Sequence, residues 1–198
     1  MRQFQSELLS RLEHEADQLR IPIMKPDGIA LLRQLIHIGK VKTVLEIGTA
    51  IGYSAIAMAS MTDVTVVSIE RDKIMYEKAR NNCDMANLSD RIQLIFADAL
   101  SMDIFALGSF DLLFIDAAKG QNLPLFQKFA CLVSPGGIIV IDNLLFHGFV
   151  ANPETIISRD RRQMIHKIQQ FNEWILANAN YDTHIYNLGD GIGVCYKK

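Results

Sequence analysis

Cysteine is scarce in this chain. Its 198 residues include three, Cys83, Cys131 and Cys195, far apart and in no CxxC pair. That argues against a disulfide framework and a cysteine-type zinc site, and the thiols read as reduced core groups of a cytoplasmic protein. Long apolar runs are missing too. No run exceeds six residues, far short of what a bilayer-spanning helix needs, so no membrane partner is expected. The N-terminal stretch MRQFQSELLSRLEHEADQLR is charged throughout, unlike a secretory leader. Neither sign of charge dominates: 20 basic against 22 acidic residues leave a net −2. A wholesale nucleic-acid coat would need a strong positive field, although a local basic patch is still compatible. There is no internal repeat and no Pro-, Gly- or Ser-rich linker.

What is present is globular: 49% hydrophobic and 21% charged residues. The length suits one domain over 1–198, a helical cap (1–40) followed by a Rossmann-like core (41–198). Phe4, Leu8, Leu12, Ala16 and Leu19 recur at helical steps and predict a helix over 3–20, ended by Ile21-Pro22. A second helix is predicted from Asp27 to the stop at Gly39. The pattern then changes. Thr43–Ile47, Val64–Glu70, Arg91–Phe96, Phe110–Asp116 and Gly137–Asp142 are short apolar runs, separated by helical stretches near 53–61, 72–86 and 121–133. Such alternation predicts parallel strands covered on both faces. A long helix is predicted over 156–178. Tyr181–Asn187 and Ile192–Tyr196 flank Gly189-Asp190-Gly191, a hairpin signal. The fold class is therefore α/β: a Rossmann-like, doubly wound sheet of about seven strands, mostly parallel, with a reversed C-terminal hairpin strand and N-terminal helices appended.

The first strand runs into Glu46-Ile47-Gly48-Thr49-Ala50-Ile51-Gly52. Ligands of open α/β sheets bind beyond the carboxyl ends of the strands. Gly48 permits close approach of a ligand to the backbone, and the next helix, with Ser54 in its first turn, offers unpaired N–H groups. Glu70 ends the second strand, where a carboxylate can accept both ribose hydroxyls. A dinucleotide fold requires G-x-G-x-x-G, and here Ala50 stands in the middle glycine's place, which counts against an NAD-dependent oxidoreductase. Glu46 would repel a pyrophosphate and welcome a cation. A ligand with an ammonium, a sulfonium and a ribose fits best: S-adenosylmethionine.

Asp116 ends the fourth strand, and Asp142 and Asn143 end the fifth. Neighbouring strands lie about 5 Å apart, so these side chains can converge on one ion. Two carboxylates and an amide oxygen are hard donors suited to Mg²⁺, Mn²⁺ or Ca²⁺. Lys119 follows Asp116 by three residues. Beside a cation and partly desolvated, its neutral form becomes accessible and could take a proton from a substrate hydroxyl. His147 could line a substrate pocket, whereas Phe171 and Trp174 read as core or dimer packing.

LEIGTAIGYSA (45–55), SIERD (68–72), FADAL (96–100), FDLLFIDAAKGQ (110–121), DN (142–143) and GDG (189–191) resemble class I methyltransferases of the catechol and caffeoyl-CoA O-methyltransferase type. Within that group the likeness is greatest to the bacterial branch that methylates 5-hydroxyuridine in tRNA. The resemblance covers roughly residues 20–198 and identifies the metal-dependent group more specifically than the substrate. It implies a cofactor site of Met24, Glu46, Gly48, Thr49, Ser54, Glu70, Asp98, Ala99 and Asp116. It further implies a metal site of Asp116, Asp142 and Asn143, Lys119 as base, and a homodimer. Two departures stand out. Many relatives read D-A-D-K with a Tyr three positions later; here Ala118 replaces the second Asp and Asn122 the Tyr.

Arg159, Arg161, Arg162 and Lys167 form a basic stretch at the start of the last long helix. It is either a solvated face or a phosphate-contacting patch. A 5-hydroxyuridine carries its hydroxyl beside the C4 oxygen, a vicinal pair able to chelate a metal as catechol does. The expected acceptor is therefore 5-hydroxyuridine in a tRNA anticodon loop, with a small catechol or acyl-CoA phenol as the alternative.

Overall fold

The structure is a computed structural model. It describes residues 2–146, 150 and 158–198, and within them the side chains from residue 6 onward except that of Lys119. Packing divides the chain into two compact units, Met1–Asp103 and Ile104–Lys198. Among the described residues no helix is long and apolar enough to cross a membrane.

The first unit begins with α1 (Arg2–Leu19), whose stripe of Leu8, Leu12 and Ala16 is buried. In α2 (Pro26–Ile38), Pro26 presets the first turn, Asp27 complements its dipole, and Gly39 closes the end. Three parallel strands follow: β1 (Thr43–Ile47), β2 (Thr65–Glu70) and β3 (Ile92–Phe96). Between β1 and β2 lies α3 (Tyr53–Met61), buried from Tyr53 through Ala59, with Ala55, Ala57 and Ala59 keeping its surface thin enough for neighbours on several sides. The guanidinium of Arg91 donates to the Thr62 and Val64 carbonyls, fastening the chain as it enters β2. Asp72 caps α4 (Lys73–Met85) by accepting from the Ile74 and Met75 amides.

The second unit pairs β4 (Phe110–Ile115) in parallel with β5 (Val133–Ile141), with α5 (Asn122–Phe129) between them in sequence. Next come α6 (Arg159–Leu176), β6 (Tyr181–Tyr186) and β7 (Ile192–Lys197). β7 runs antiparallel to both β5 and β6. Ile165, Ile168, Phe171 and Ile175 bury one face of α6, and Phe126 packs edge-on against Trp174 and Tyr181, so Phe171 and Trp174 are packing residues. The strand order is β3-β2-β1 in the first unit and β4-β5-β7-β6 in the second, seven strands that are mostly parallel with a reversed hairpin, as expected from the sequence.

Some boundaries differ. β5 starts at Val133 rather than Gly137. Ser134–Gly137 reads as a turn but forms a bulge within the strand, where the register shifts between Phe110 and Leu112. A Cβ on Gly137 would lie 2.8 Å from the Asp111 carbonyl oxygen, so only glycine lets the chains pass. The helix predicted over 121–133 is a 3-10 turn (Lys119–Gln121), then α5, then a second 3-10 turn (Ala130–Leu132). The last long helix begins at Arg159, and residues 156 and 157 of its predicted span lie outside the described residues.

The hairpin turn has a second role. Gly191 O accepts from the Leu144 amide, and Asp190 O accepts from the amides of Leu145 and Phe146. The main chain after β5 is thus held by the turn between β6 and β7, and the Asn172 amide adds a bond to Leu144 O. Gly191 sits at φ +93°, and a Cβ there would lie 2.5 Å from the Leu145 nitrogen, which cannot move without breaking the brace. Gly191→Ala should therefore cost about 1–3 kcal/mol. Thermal unfolding should show a Tm lower by about 2–4 °C per kcal/mol lost.

Candidate functional site

In the first unit, the chain leaves β1 through a turn built on three left-handed residues, Gly48 (φ 100°), Ala50 (φ 46°) and Gly52 (φ 85°). Ala50 is the costly one, because a Cβ in this region meets the following carbonyl. Its amide donates to Glu70 Oε2 at 2.8 Å. The other Glu70 oxygen accepts from the Arg71 and Asp72 amides at 2.9 and 2.8 Å. Glu70 thus secures the turn while its remaining lone pair, on Oε2, stays available to a ligand hydroxyl. The Gly48 amide donates to Ile69 O, and buried Asn82 reaches from α4 to Ile51 O at 2.9 Å.

Glu46 is fully buried. Its Oε1 accepts from the Ser54 hydroxyl at 2.5 Å, and its Oε2 accepts from the Ser68 hydroxyl. Ser68 in turn shares a 2.6 Å hydrogen bond with Thr49 Oγ1. The Glu46 carboxyl is raised to about 7, because burial outweighs the downward pull of the two hydroxyls and the Glu70 charge adds a smaller upward push. Glu46, Thr49 and Ser54, all expected site residues, are joined by one residue the sequence reading did not select. Ser68 lies opposite Glu46 in the β1–β2 register and is also fully buried. The available signal was one hydroxyl in the otherwise apolar run VVSI.

Asp98 is exposed, accepts from the Leu100 amide at 2.8 Å and lies 3.8 Å from the Arg71 guanidinium. Ala99 is half-buried. The Ala97 amide donates to Glu70 O, setting Asp98 and Ala99 beside the end of β2. Met24 is buried in the segment entering α2.

In the second unit, Asp116 follows β4, and Asp142 and Asn143 follow β5. The Asp142 amide donates to Ile115 O at 3.1 Å, carrying the ladder one step past the strands. Asn143 takes the left-handed conformation (φ 68°), its amide donates to Asp142 Oδ1 at 2.7 Å, and its Nδ2 donates to Asp116 Oδ1 at 3.3 Å. Asp142 and Asn143 are buried and Asp116 half-buried. The structure therefore brings the three expected metal ligands together. An amide's oxygen and nitrogen exchange by a simple flip, so the same Asn143 position can present an oxygen donor beside the Asp116 carboxylate. The set fits a hard divalent cation.

Lys119 opens the 3-10 turn three residues past Asp116, and its side chain lies outside the described residues, as does all of His147. Ala118 is exposed and Asn122 buried, its Nδ2 without a hydrogen-bond partner. Arg159, Arg161, Arg162 and Lys167 are exposed on α6, and Lys167 lies along Gly120, where a Cβ would meet its Cδ at 3.5 Å. Sequence reading also missed the brace from Asp190 and Gly191, visible in the sequence only as a turn.

The family model described as O-methyltransferase matches residues 2–198. Tricin synthase 1 of Oryza sativa is 32% identical, with 85% of this chain and 72% of the relative aligned. The caffeoyl-CoA O-methyltransferase of Stellaria longipes is 28% identical over 96% of this chain and 83% of its own length. Among solved structures, a Staphylococcus aureus protein provisionally named a caffeoyl-CoA O-methyltransferase superposes with TM-score 0.92 at 35% identity, covering 96% of this chain and 92% of that one. The Bacillus cereus O-methyltransferase in complex with SAH superposes at 0.80 with 27% identity, covering 96% and 91%.

Two measurements follow from the first unit. Charge-assisted hydrogen bonds are worth about 1.5–3 kcal/mol, so Glu70→Ala should weaken S-adenosylhomocysteine binding by roughly 10- to 100-fold in calorimetry. Unchanged affinity would remove Glu70 from the site. The Glu46 carboxyl holds its proton to about pH 7 when folded, against 4.5 for the unperturbed group. The folded chain binds more protons between those values, so ligand-free stability should fall by roughly 3 kcal/mol as pH rises through that window. Urea unfolding at several pH values should show the decline in the native protein and not in Glu46→Gln.

Proposed function

Since the chain belongs to the O-methyltransferase family and is an S-adenosylmethionine-dependent methyltransferase, we propose that it methylates a metal-chelated hydroxyl, with 5-hydroxyuridine in tRNA as the acceptor. The observation that carries the metal-chelated reading is the oxygen-rich cluster of Asp116, Asp142 and Asn143 at adjacent strand ends. A divalent cation held there would grip two acceptor oxygens and lower the pKa of the hydroxyl. S-adenosylmethionine supplies the methyl group from its sulfonium.

The chain's own residues supply the rest. The Glu70 carboxylate holds the ribose, and Glu46 faces the positive end of the cofactor. Asp98 and Ala99 border the base. Lys119 Nζ takes the proton from the acceptor hydroxyl. Methyl transfer from a sulfonium to an oxyanion would cancel charge rather than create it. The protein's contribution is therefore alignment and exclusion of water rather than stabilisation of new charge.

The basic start of α6 supports the RNA acceptor: three exposed arginines lie in its first turn, and Lys167 lies along the turn that begins at Lys119. A small phenol is the second reading, favoured by the name of the Stellaria longipes relative. Labelled S-adenosylmethionine, offered with undermethylated tRNA, free 5-hydroxyuridine and a catechol panel, with and without chelator, separates the two. The tRNA reading expects chelator-sensitive 5-methoxyuridine in digested tRNA by mass spectrometry. Alanine at Arg159, Arg161 and Arg162 should lower the salt slope of log affinity for RNA by roughly 0.7–0.9 per lost contact. Turnover of the free nucleoside should be nearly unchanged. Catechol methylation with inert tRNA would establish the small-phenol reading instead.

A further inference from the structure

Glu46 is a buried carboxyl with two hydroxyl donors and no counter-ion: among the described residues no basic side chain pairs with it. Buried charges are ordinarily paired. Neither titratable group facing it supplies a positive charge. Glu70 at the end of β2 is a second carboxylate, and Cys83 on α4 is a thiol that burial holds up to about 12. Glu46 is therefore neutral while it holds its proton, and once ionised it is left for a cationic ligand to balance.

The hydrogen-bond directions have a consequence. An ionised carboxylate only accepts, so Ser54 and Ser68 must both donate to it. Each serine has one hydroxyl proton. With that of Ser68 spent on Glu46, Thr49 must donate in the 2.6 Å bond between Thr49 and Ser68. All the donors then point inward, and Thr49 presents only lone pairs to the turn. A proton on Glu46 Oε2 reverses the chain: the carboxyl donates to Ser68, Ser68 donates to Thr49, and the Thr49 hydroxyl is released to donate elsewhere.

We propose that Ser68 is a positioning residue of the cofactor site, coupling the protonation state of Glu46 to the direction in which Thr49 donates, so that the cationic end of the cofactor binds with release of the Glu46 proton. The proposal rests on the S-adenosylmethionine reading. It adds a residue that never touches the cofactor and a proton that leaves when the cofactor arrives. No covalent step is involved; the proton passes to buffer. Below neutrality the ligand-free site stores the proton, and cofactor occupancy becomes pH-dependent.

Calorimetric titration with S-adenosylhomocysteine, which keeps the ammonium, counts the released protons when run in two buffers of different ionisation enthalpy. The native protein should release up to one proton per ligand at about pH 6, fading above about pH 8. Ser68→Ala removes one donor to the carboxylate, so release should persist about one to two pH units higher. Affinity at about pH 7 should fall roughly tenfold or more in the same variant. Ser68→Thr, which keeps the hydroxyl, should restore both. Glu46→Gln should release none of this proton, and it subtracts any contribution from other groups. In infrared difference spectra, the protonated-carboxyl band should disappear on binding in the native protein only. Buffer-independent binding heats in the native protein, or an unmoved release profile in Ser68→Ala, would overturn the proposal. No S-adenosylhomocysteine binding by native protein in equilibrium dialysis would overturn the cofactor reading itself, and this proposal with it.

Discussion

An acidic side chain placed where water cannot reach it must be neutralised, hydrogen-bonded or paired, and the first unit is organised around that demand. Glu46 sits one residue before the end of β1, paired with β2, just before the chain turns toward α3. Ser68 across the register and Ser54 in the first turn of α3 satisfy its oxygens. Those bonds fix how β1, β2 and the start of α3 meet. Glu70, two residues beyond Ser68 on the same strand, secures the turn from outside by holding the Ala50 amide. Two carboxyls on adjacent strands therefore shape one turn, one from beneath and one from its rim, and among the described residues no basic side chain pairs with either.

The second unit solves a different problem. Its polar cluster has to be presented by residues that follow a strand, where no ladder continues. The main-chain bonds from Asp190 and Gly191 take over from the ladder. Asn143 can then adopt its left-handed conformation with its amide tied to Asp142 and its side chain turned to Asp116. The reversed direction of β7 is what delivers the hairpin turn to this place, since a parallel strand would carry its turn to the other end of the sheet.

Much of this is legible in the sequence because the strands are short, apolar and terminated by ionisable residues. Glu46, Glu70, Asp116 and Asp142 mark their own positions for that reason. The alternation of strand and helix fixes the sheet class, and Gly189-Asp190-Gly191 announces the reversal. What escapes is tertiary. Ser68 matters only because the register sets it opposite Glu46, and a single hydroxyl in a strand leaves no periodic trace. The brace on Leu144–Phe146 joins segments far apart in the chain, so nothing local encodes it. Gly136-Gly137 misleads because two glycines signal a turn, whereas here they let one strand pass a bulge in its neighbour. Asp116, Asp142 and Asn143 were legible as neighbours at strand ends, while the turn of the Asn143 side chain toward Asp116 is a matter of geometry that composition does not carry.

The brace behind Asn143 also bears on how such a protein can change over evolutionary time. It joins main chain to main chain, and every residue except proline brings an N–H to such a bond. The bonds themselves therefore do not depend on which side chains follow Asn143, but the Leu144 side chain is buried and that of Phe146 packs against Ile165 and Ile168. The constraint is transferred to Gly191, far along the chain, which tolerates no side chain. What the brace asks of the sequence is thus concentrated in one hairpin glycine, while the side chains of the residues it holds answer to packing.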